Sequence, residues 1–232
     1  MRITSIIVFI LFAVVFGLVG VSQAMLIDMH DGTIYDPDMQ ISWLKDPLSV
    51  MIQEGIQTGI WNGLGEHTMP WSVALEMADA LNFAGFDDWR LPTAYNQDGS
   101  GPCLGYDCVN SEMGHLFYTD LGGIAGDSIL NSNNPDVGLF SGIIVPQYPD
   151  ESNLFPSYWS STKCHNYDPS YPDTCGWQFD FNNGSQGNPE TDSGLLWAVR
   201  DGIRSVQVSE PGTWLFLGSG MASLVTLRRK FM

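Results

Sequence analysis

The sequence predicts an α+β fold with antiparallel sheets, two helices and long loops. Strand-like patterns lie near both ends of the region from 25 to 208, and two segments with helical spacing lie between them. With 25 glycines and 13 prolines among 232 residues, the chain also has many turn-forming residues for irregular connections. We therefore expect the first and last strands of this region to meet in one sheet.

The first strands are predicted from three short β-prone runs at 26–28, 32–36 and 41–45, which Gly, Asp and Pro residues separate. These runs predict two paired strands. The connection at 125–155 is rich in Asn, Asp, Pro and Gly, so we expect loops with few regular elements there.

The first helix is predicted over 71–81, with Pro70 near its start and Gly85 as its stop. Its apolar residues recur at helical spacing: Trp71, Ala74, Leu75, Ala78 and Leu81. This spacing places them on one face of the helix, where they can be buried together.

A second, shorter helix is predicted after Ser111, whose side chain can cap the first turn, with the acidic Glu112 in that turn. Gly122 and Gly123 are expected to end it. Its apolar face consists of Met113, Leu116, Phe117 and Leu121. His115 lies in the same helix, where we expect a packed or capping role rather than a catalytic one.

Strand patterns return in the last part of the region, at 158–162, 177–181 and 195–200. In the middle run, three aromatic residues alternate with Gln178 and Asp180, which we expect to face solvent. The Asn-Asn-Gly sequence at 182–184 predicts a turn after this strand.

Residues 1–24 have the features of a secretory signal peptide. They contain Arg2 near the start, an apolar stretch at 6–19, and small residues at Ser22 and Ala24. We expect cleavage after Ala24, with an uncleaved anchor helix as the alternative. The chain would then be exported by the Sec machinery.

A second apolar segment, 213–227, is followed at once by Arg228, Arg229 and Lys230. At about 1.5 Å per residue it would reach about 22 Å, less than the roughly 30 Å of a bilayer's hydrocarbon core. Spanning would therefore need snorkelling or local thinning of the bilayer. The basic cluster predicts a cytoplasmic C-terminus.

The residues before this apolar segment are Ser209, Glu210, Pro211 and Gly212. Followed by a glycine-containing apolar segment and an arginine cluster, they resemble the PEP-CTERM sorting signal of Gram-negative bacteria, although Ser209 stands where that family usually has its first proline. In that family a membrane protease, exosortase, removes the tail. The resemblance implies that 209–232 anchors the chain transiently in the inner membrane before delivery to the cell surface or extracellular matrix. A generic tail anchor is the alternative.

Four cysteines in an exported chain predict two disulfides. The cysteines are Cys103, Cys108, Cys164 and Cys175. Three pairings are open, and the pairing of sequence neighbours would close two short loops. A zinc site is less favoured, because neither neighbouring pair has the Cys-x-x-Cys spacing.

The charge of the exported region excludes one class of partner. Residues 25–208 contain 25 acidic and five basic residues, a net charge of −20. Such a charge repels phosphate backbones, so nucleic acid is excluded as a partner. The loops 96–99 and 131–136 carry oxygen ligands that suit calcium, but their spacing is not that of an EF-hand. We therefore predict no cofactor, with a structural calcium ion as the alternative to simple polar turns.

Six segments of the exported region occur in a specific order. They are 41–45, the helix that begins at Trp71, 87–93, 111–117, 158–162 and 197–200. Together they resemble the DUF1566 domain, also called the Lcl C-terminal domain, over nearly all of 25–208. The resemblance implies a C-type-lectin-like fold, and glycan binding follows from that fold only by analogy.

The Trp-Arg-Leu-Pro-Thr segment, Trp89 to Thr93, is among the most specific of the six and has a structural explanation. Trp89 and Leu91 can alternate into the core, and Pro92 would end the strand. Arg90 offers a planar fork of donors to a carboxylate or to loop carbonyls. Core roles are also expected for Trp159 and Trp177, with a sugar-stacking platform as the alternative, and structural roles are expected for Trp197 and Arg200.

The sequence contains neither Gly-x-Ser-x-Gly nor His-Glu-x-x-His, and its four histidines are scattered. We therefore predict a non-catalytic exported protein of the cell surface or exopolysaccharide, with glycan-binding or adhesive activity. One alternative is an enzyme similar to formylglycine-generating enzymes, which have an Arg-Leu-Pro-Thr segment like 90–93 and use a cysteine pair to hold copper. Another is a structural matrix protein with no small ligand. Aromatic residues exposed on one loop face would favour the binding protein, and a closed arrangement of tryptophans would favour the structural one.

Overall fold

Short strands and helices joined by loops make up the fold. The structure is a computed structural model that describes residues 25–47, 68–143, 157–164, 175–188 and 193–202. The chain divides into two units, Met1–Gly202 and Ile203–Met232, and every described residue belongs to the first. The predicted signal peptide and sorting segment lie outside the described residues. Within those ranges, no helix has the length and hydropathy that a membrane span requires.

Seven strands form two antiparallel sheets in the described part of the chain. In order they are β1 (Ile27–Asp28), β2 (Thr33–Asp36), β3 (Ile41–Leu44), β4 (Tyr158–Lys163), β5 (Gly176–Asp180), β6 (Ser185–Gly187) and β7 (Val199–Asp201). The first sheet has the order β1-β2-β3-β7 and the second the order β4-β5-β6. The predicted α+β class with antiparallel sheets is confirmed.

The helices of the described residues lie between β3 and β4. They are α1 (Trp71–Ala80), α2 (Glu112–Gly114), a π-helical segment (His115–Asp120) and two 3-10 turns, Ile129–Asn131 and Pro135–Leu139. Both predicted helices are therefore present. The described part of 125–155 contains only the two short 3-10 turns, as expected for a loop region.

The first sheet joins the two ends of the described region. Ser42 in β3 pairs with Tyr35 in β2 on one side and with Arg200 in β7 on the other. The first and last strands thus meet in one sheet, as predicted. The opening runs form three strands, and the prediction of two was wrong. The backbone N–H of Met29 donates to the carbonyl of Thr33 (3.1 Å), and this tight turn brings β1 back against β2.

Both faces of β5 are covered, contrary to the prediction of one solvent face. Gln178 is buried, and its side-chain amide donates to the carbonyl of Ser193 (3.2 Å). Gly194 packs so closely against Gln178 and Trp159 that a Cβ there would meet both side chains. Trp177, which the alternation places in the core, is only half-buried. The segment around Gly194 therefore covers the face that was expected to be solvated.

The turn predicted at 182–184 is present, and Gly184 supplies its positive φ of 80°. It leads into β6, which was not predicted because its three residues have no apolar alternation. The last strand is shorter than the predicted 195–200. Leu195 makes only an isolated bridge to Tyr158, and regular pairing begins at Val199.

The first helix ends one residue before its predicted end, because Leu81 is already extended. Gly85 is not its stop, which corrects the prediction. With a φ of 81°, Gly85 lies in the following turn, where Phe83 and Phe86 exchange two backbone hydrogen bonds of 3.0 Å. Four predicted apolar residues are buried and Leu75 packs partly buried beside them; the four are Trp71, Ala74, Ala78 and Leu81.

The second helix begins as predicted and then widens. The hydroxyl of Ser111 accepts from the backbone N–H of Gly114 (3.2 Å), so Ser111 is the N-cap. After α2 the chain becomes π-helical, and the N–H of Leu121 donates to the carbonyl of Leu116 (2.9 Å). The predicted apolar face is fully buried: Met113, Leu116, Phe117 and Leu121.

Aromatic side chains join the two sheets in the core. The ring of Trp197 lies 5.4 Å from that of Trp43 in β3, 5.3 Å from that of Tyr158 in β4 and 5.2 Å from that of Phe181. Such edge and tilted contacts add to the burial of large apolar area. Five tryptophans are buried in the described residues: Trp43, Trp71, Trp89, Trp159 and Trp197.

Candidate functional site

The Trp-Arg-Leu-Pro-Thr segment lies against β7. Trp89 and Leu91 are buried, as the sequence predicts. Between them, the backbone of Arg90 exchanges two hydrogen bonds of 2.8 Å with Val199. The carbonyl of Pro92 accepts from the backbone of β4 (2.7 Å). The segment therefore bridges the two sheets.

The side chain of Arg90 is clamped by carboxylates. Its Nη1 and Nη2 donate to the two carboxylate oxygens of Glu112 (2.9 and 2.7 Å), and Nη2 also donates to Asp201 (2.5 Å). Glu112 accepts a further hydrogen bond from the backbone N–H of Thr93 (2.7 Å). Burial opposes the charge of Arg90, but Glu112 and then Asp201 outweigh it and raise the pKa of the guanidinium. This network fixes the segment to α2 and β7.

Arg200 in β7 forms a second two-bonded ion pair. Its Nε and Nη2 donate to the carboxylate of Asp88 (2.7 and 2.9 Å). Its guanidinium also lies 3.7 Å from the ring centroid of Phe86, in cation–π contact. The hydrogen bond from Arg200 lowers the pKa of Asp88. Both arginines predicted as structural are therefore committed to ion pairs within the fold.

Two of the predicted core tryptophans also hydrogen-bond inside the fold. The indole N–H of Trp159 donates to the carbonyl of Met69 (2.8 Å), and that of Trp197 donates to the carbonyl of Leu44 (2.8 Å). Both rings are buried, so neither offers a sugar-stacking surface. Trp177 is half-buried at the second sheet.

The four cysteines form two local disulfides. Cys103 is bonded to Cys108 and Cys164 to Cys175, which selects one of the three pairings left open by the sequence. The chain has no free cysteine. The first disulfide lies within residues 95–109, which we call the stapled loop.

Gln186 in β6 fastens the stapled loop to the second sheet. Its buried side-chain amide donates to the carbonyls of Ala94 (3.1 Å) and Cys103 (2.8 Å), and its oxygen accepts from the hydroxyl of Ser111 (2.7 Å). The backbones of Gln186 and Gly105 also exchange two hydrogen bonds of 2.8 Å. The loop is therefore held at both sides of its disulfide.

The stapled loop carries large apolar side chains on the surface. Tyr95 and Tyr106 are 43% and 50% exposed, and Leu104 is 72% exposed. Val109, at the end of the loop, is exposed too. An exposed group of apolar residues on one loop is a feature of interaction surfaces.

A second feature lies inside the fold, where two carboxylates and an imidazole converge. We call Asp36, His115 and Asp120 the Asp–His cluster. Asp36 ends β2 and is fully buried. Its Oδ1 accepts from the backbone N–H groups of Asp38 and Met39 (2.9 Å each), which fixes the direction of the carboxylate. Its Oδ2 has no hydrogen-bond partner outside the cluster, and its carboxylate lies at hydrogen-bond distance from that of Asp120.

The π-helical segment supplies the other two members of the Asp–His cluster. His115 begins this segment and Asp120 ends it, so the wide turn places both side chains on one side. The Nε2 of His115 lies 3.6 Å from Oδ1 of Asp120. Neither this Nε2 nor Oδ2 of Asp120 has a hydrogen-bond partner. One ligand atom from each of the three residues lies within 4.8 Å of the others.

Two ionised carboxylates cannot be held in the Asp–His cluster without an electrostatic cost. Burial, followed by the charge of Asp36, raises the pKa of Asp120 to about 8, and the charges of Asp38 and Asp136 act in the same direction. Burial is also the main cause that raises the pKa of Asp36. A proton or a cation is therefore needed to neutralise the cluster at neutral pH.

Comparison with known proteins adds no functional assignment. No family, curated protein or solved structure matches this chain. What the two features can do therefore follows from their own residues. The tyrosine rings of the stapled loop can pack against a partner. The Asp–His cluster can hold a proton or coordinate a cation.

The Asp–His cluster was not predicted from the sequence, and two other loops were considered for calcium only as the alternative to a prediction of no cofactor. In the first of those loops, Asp98 accepts from the backbone and hydroxyl of Ser100 (2.9 and 2.6 Å). In the second, the side chain of Asn134 accepts from the N–H of Asp136 (2.9 Å). These groups serve the turns themselves. The spacing of Asp36 from the helix gave no sign of the cluster.

Proposed function

We propose that this chain is an exported, non-catalytic surface protein that binds extracellular polysaccharide through the stapled loop. The signal-like residues 1–24 and the PEP-CTERM-like residues 209–232 support export by Sec and sorting by exosortase. Two disulfides fit an oxidising compartment outside the cytosol. Under this proposal, 25–208 is a DUF1566-like domain with a C-type-lectin-like fold. The pairing of its first and last strands is compatible with that fold.

The exposed tyrosines of the stapled loop are the single observation that carries the binding proposal. The ring of a tyrosine can stack on the apolar face of a sugar while its hydroxyl stays in water. Tyrosine also gives a large contact area at a low cost in conformational entropy. The disulfide Cys103–Cys108 and the bonds of Gln186 hold the loop in place, so binding requires little ordering.

The charge of the protein favours a neutral polysaccharide. Residues 25–208 have a net charge of −20, which repels anionic polymers at low salt. Stacking contacts carry no charge, so a neutral sugar chain can approach the loop without this repulsion. We therefore assign neutral extracellular polysaccharides as the ligand class.

The experiment measures the affinity of the exported protein for a neutral polysaccharide taken from a glycan array. Tyr95→Ala and Tyr106→Ala should each raise the Kd about tenfold or more, as expected for anchor residues. Leu130→Ala is the control, because Leu130 is 51% exposed but lies outside the stapled loop. Equal affinities for all three variants and the parent would contradict the proposal.

A structural matrix protein is the second candidate, and one observation favours it. The five buried tryptophans form part of a closed core, which is the arrangement expected of a protein that offers no aromatic platform. On this alternative no polysaccharide binds saturably. The enzyme alternative has less support, because a copper-holding cysteine pair would need thiols that are engaged in disulfides here.

A further inference from the structure

We propose that the Asp–His cluster is a binding site for a divalent transition-metal ion, with Zn²⁺ as the preferred ion. The ligands would be Oδ2 of Asp36, Nε2 of His115 and the carboxylate of Asp120. This proposal does not depend on polysaccharide binding, because the cluster lies in the core and the proposed binding surface lies on the stapled loop.

Three unpaired polar atoms in one buried place require an explanation. A buried carboxylate oxygen or imidazole nitrogen without a partner costs free energy, so native proteins satisfy nearly all such atoms. Oδ2 of Asp36, Nε2 of His115 and Oδ2 of Asp120 lack hydrogen-bond partners outside the cluster, and within it the carboxyl groups of Asp36 and Asp120 face each other at hydrogen-bond distance. One ligand atom from each residue lies within 4.8 Å of the others, so a single ion can reach all three residues.

The ligands are held in position by the surrounding fold. Two backbone N–H groups donate to Oδ1 of Asp36, so Oδ2 is the oxygen left available to the other two residues of the cluster. The side-chain amide of Asn134 donates to the backbone carbonyl of Asp120 (2.7 Å) and fixes the end of the π-helical segment. Support of this kind from neighbouring residues is typical of metal ligands. Zinc binds nitrogen and oxygen ligands at about 2.0–2.1 Å, so the three ligand atoms would have to move closer together around the ion.

The donor set selects the class of ion. One imidazole with two carboxylates suits Zn²⁺ or Mn²⁺, and the imidazole nitrogen favours Zn²⁺. Calcium takes roughly six to eight oxygen ligands, which this cluster does not provide. The negative charges of Asp38 and Asp136 act on Asp120 as well, so the local potential attracts a cation.

The bound ion would connect the first sheet to the helical layer. Asp36 belongs to β2, whereas His115 and Asp120 belong to the π-helical segment. An ion shared by these ligands stabilises the folded state, since the unfolded chain does not hold them together. We therefore assign the ion a stabilising role between these two elements.

The test uses full-length protein purified without a histidine tag and stripped with chelator. Zn²⁺ is then added back, and dialysis removes the unbound ions. Metal analysis should find one Zn²⁺ per chain, and excess Zn²⁺ should raise the Tm of the protein by about 5 °C or more. Asp36→Asn and His115→Gln should each lose the bound Zn²⁺ and the rise in Tm. Asp79→Asn and His30→Gln are the matched controls, because both parent residues are exposed and lie outside the cluster.

A second readout keeps the test decisive if a cluster variant folds poorly. Co²⁺ added to the parent protein should give the visible absorption bands of an ion bound by nitrogen and oxygen, and His115→Gln should change them. Zn²⁺ binding that survives both cluster variants would overturn the proposal, as would a parent protein that binds no Zn²⁺ and shows no Co²⁺ bands. Binding of Ca²⁺ in place of Zn²⁺ would overturn the assignment of the ion. If the parent protein binds neither Zn²⁺ nor Co²⁺, the cluster is metal-free, and Asp36 and Asp120 share one proton.

Discussion

Arg90 and Glu112 form a two-bonded ion pair that connects the segment before the stapled loop to the start of α2. Both donor–acceptor distances are below 3.0 Å, and Glu112 is buried. The same carboxylate accepts from the N–H of Thr93 (2.7 Å). Glu112 thus accepts three hydrogen bonds at one buried carboxylate. This single side chain holds both Arg90 and Thr93 against the start of α2.

Replacing Glu112 with Gln should lower the free energy of unfolding by about 2–3 kcal/mol, because a neutral amide cannot serve all three donors and leaves Arg90 partly unpaired. Urea unfolding at pH 7 measures the change. Glu76→Gln on the exposed face of α1 is the control and should change stability by less than about 0.5 kcal/mol. A loss for Glu112→Gln as small as that of the control would contradict this role.

The metal-free protein should lose stability as the pH rises from about 4 to about 8. The pKa of Asp120 is raised to about 8 in the folded state by burial and by Asp36, with Asp38 and Asp136 adding to the effect and His115 facing the same carboxylate. The folded state thus holds a proton that the unfolded state releases near pH 4, so its stabilisation is complete at low pH and is lost on approaching pH 8.

Thermal melting of chelated protein across this pH range measures that dependence. Asp120→Asn removes the titrating group, so the decline attributed to Asp120 should be absent from its melting temperatures. An equally steep decline in the variant would show that other groups control the dependence.

Gln186→Ala should loosen the stapled loop. The substitution leaves the carbonyls of Ala94 and Cys103 and the hydroxyl of Ser111 without the partner they have now, at a cost of about 1–3 kcal/mol or more. Limited proteolysis should cut the loop faster than in the parent protein. Ser185→Ala, one residue earlier and only half-buried, is the control. Unchanged cleavage in Gln186→Ala would mean that the disulfide alone holds the loop.

Gly114→Ala should destabilise the turn between the stapled loop and the π-helical segment. A Cβ at this position would overlap the backbone carbonyl of Cys108, which cannot move aside as a flexible side chain could. We expect a loss of about 3 kcal/mol in urea unfolding. Gly138→Ala is the matched control, because its Cβ would meet no heavy atom within 4 Å. Similar stabilities of the two variants would contradict the close contact.

The sequence pattern predicted the fold well where apolar residues recur regularly. Helical spacing located α1, and the runs near the two ends located the strands that meet in the first sheet. The alternation of apolar and polar residues in β5 predicted that Gln178 faces solvent, and this was wrong. Such alternation predicts one covered face of a strand and cannot show that the segment at Gly194 covers the other face. It missed β6, whose three residues carry polar or no side chains.

The two candidate sites depend on features that the sequence pattern does not carry. The Asp–His cluster forms because a π-helical turn brings together residues five positions apart, and an α-helical pattern does not predict that turn. The stapled loop is positioned by Gln186, a buried polar residue far away in the sequence. Long-range polar contacts of this kind are set by tertiary packing rather than by local preference.

The most direct test of the proposed function is a pull-down of the protein with neutral extracellular polysaccharides, in calcium and again in chelator. We predict saturable binding in both conditions, because the exposed rings of Tyr95 and Tyr106 need no ion to stack on a sugar. The absence of saturable binding to any polysaccharide would contradict the proposal and leave the structural matrix protein as the better account.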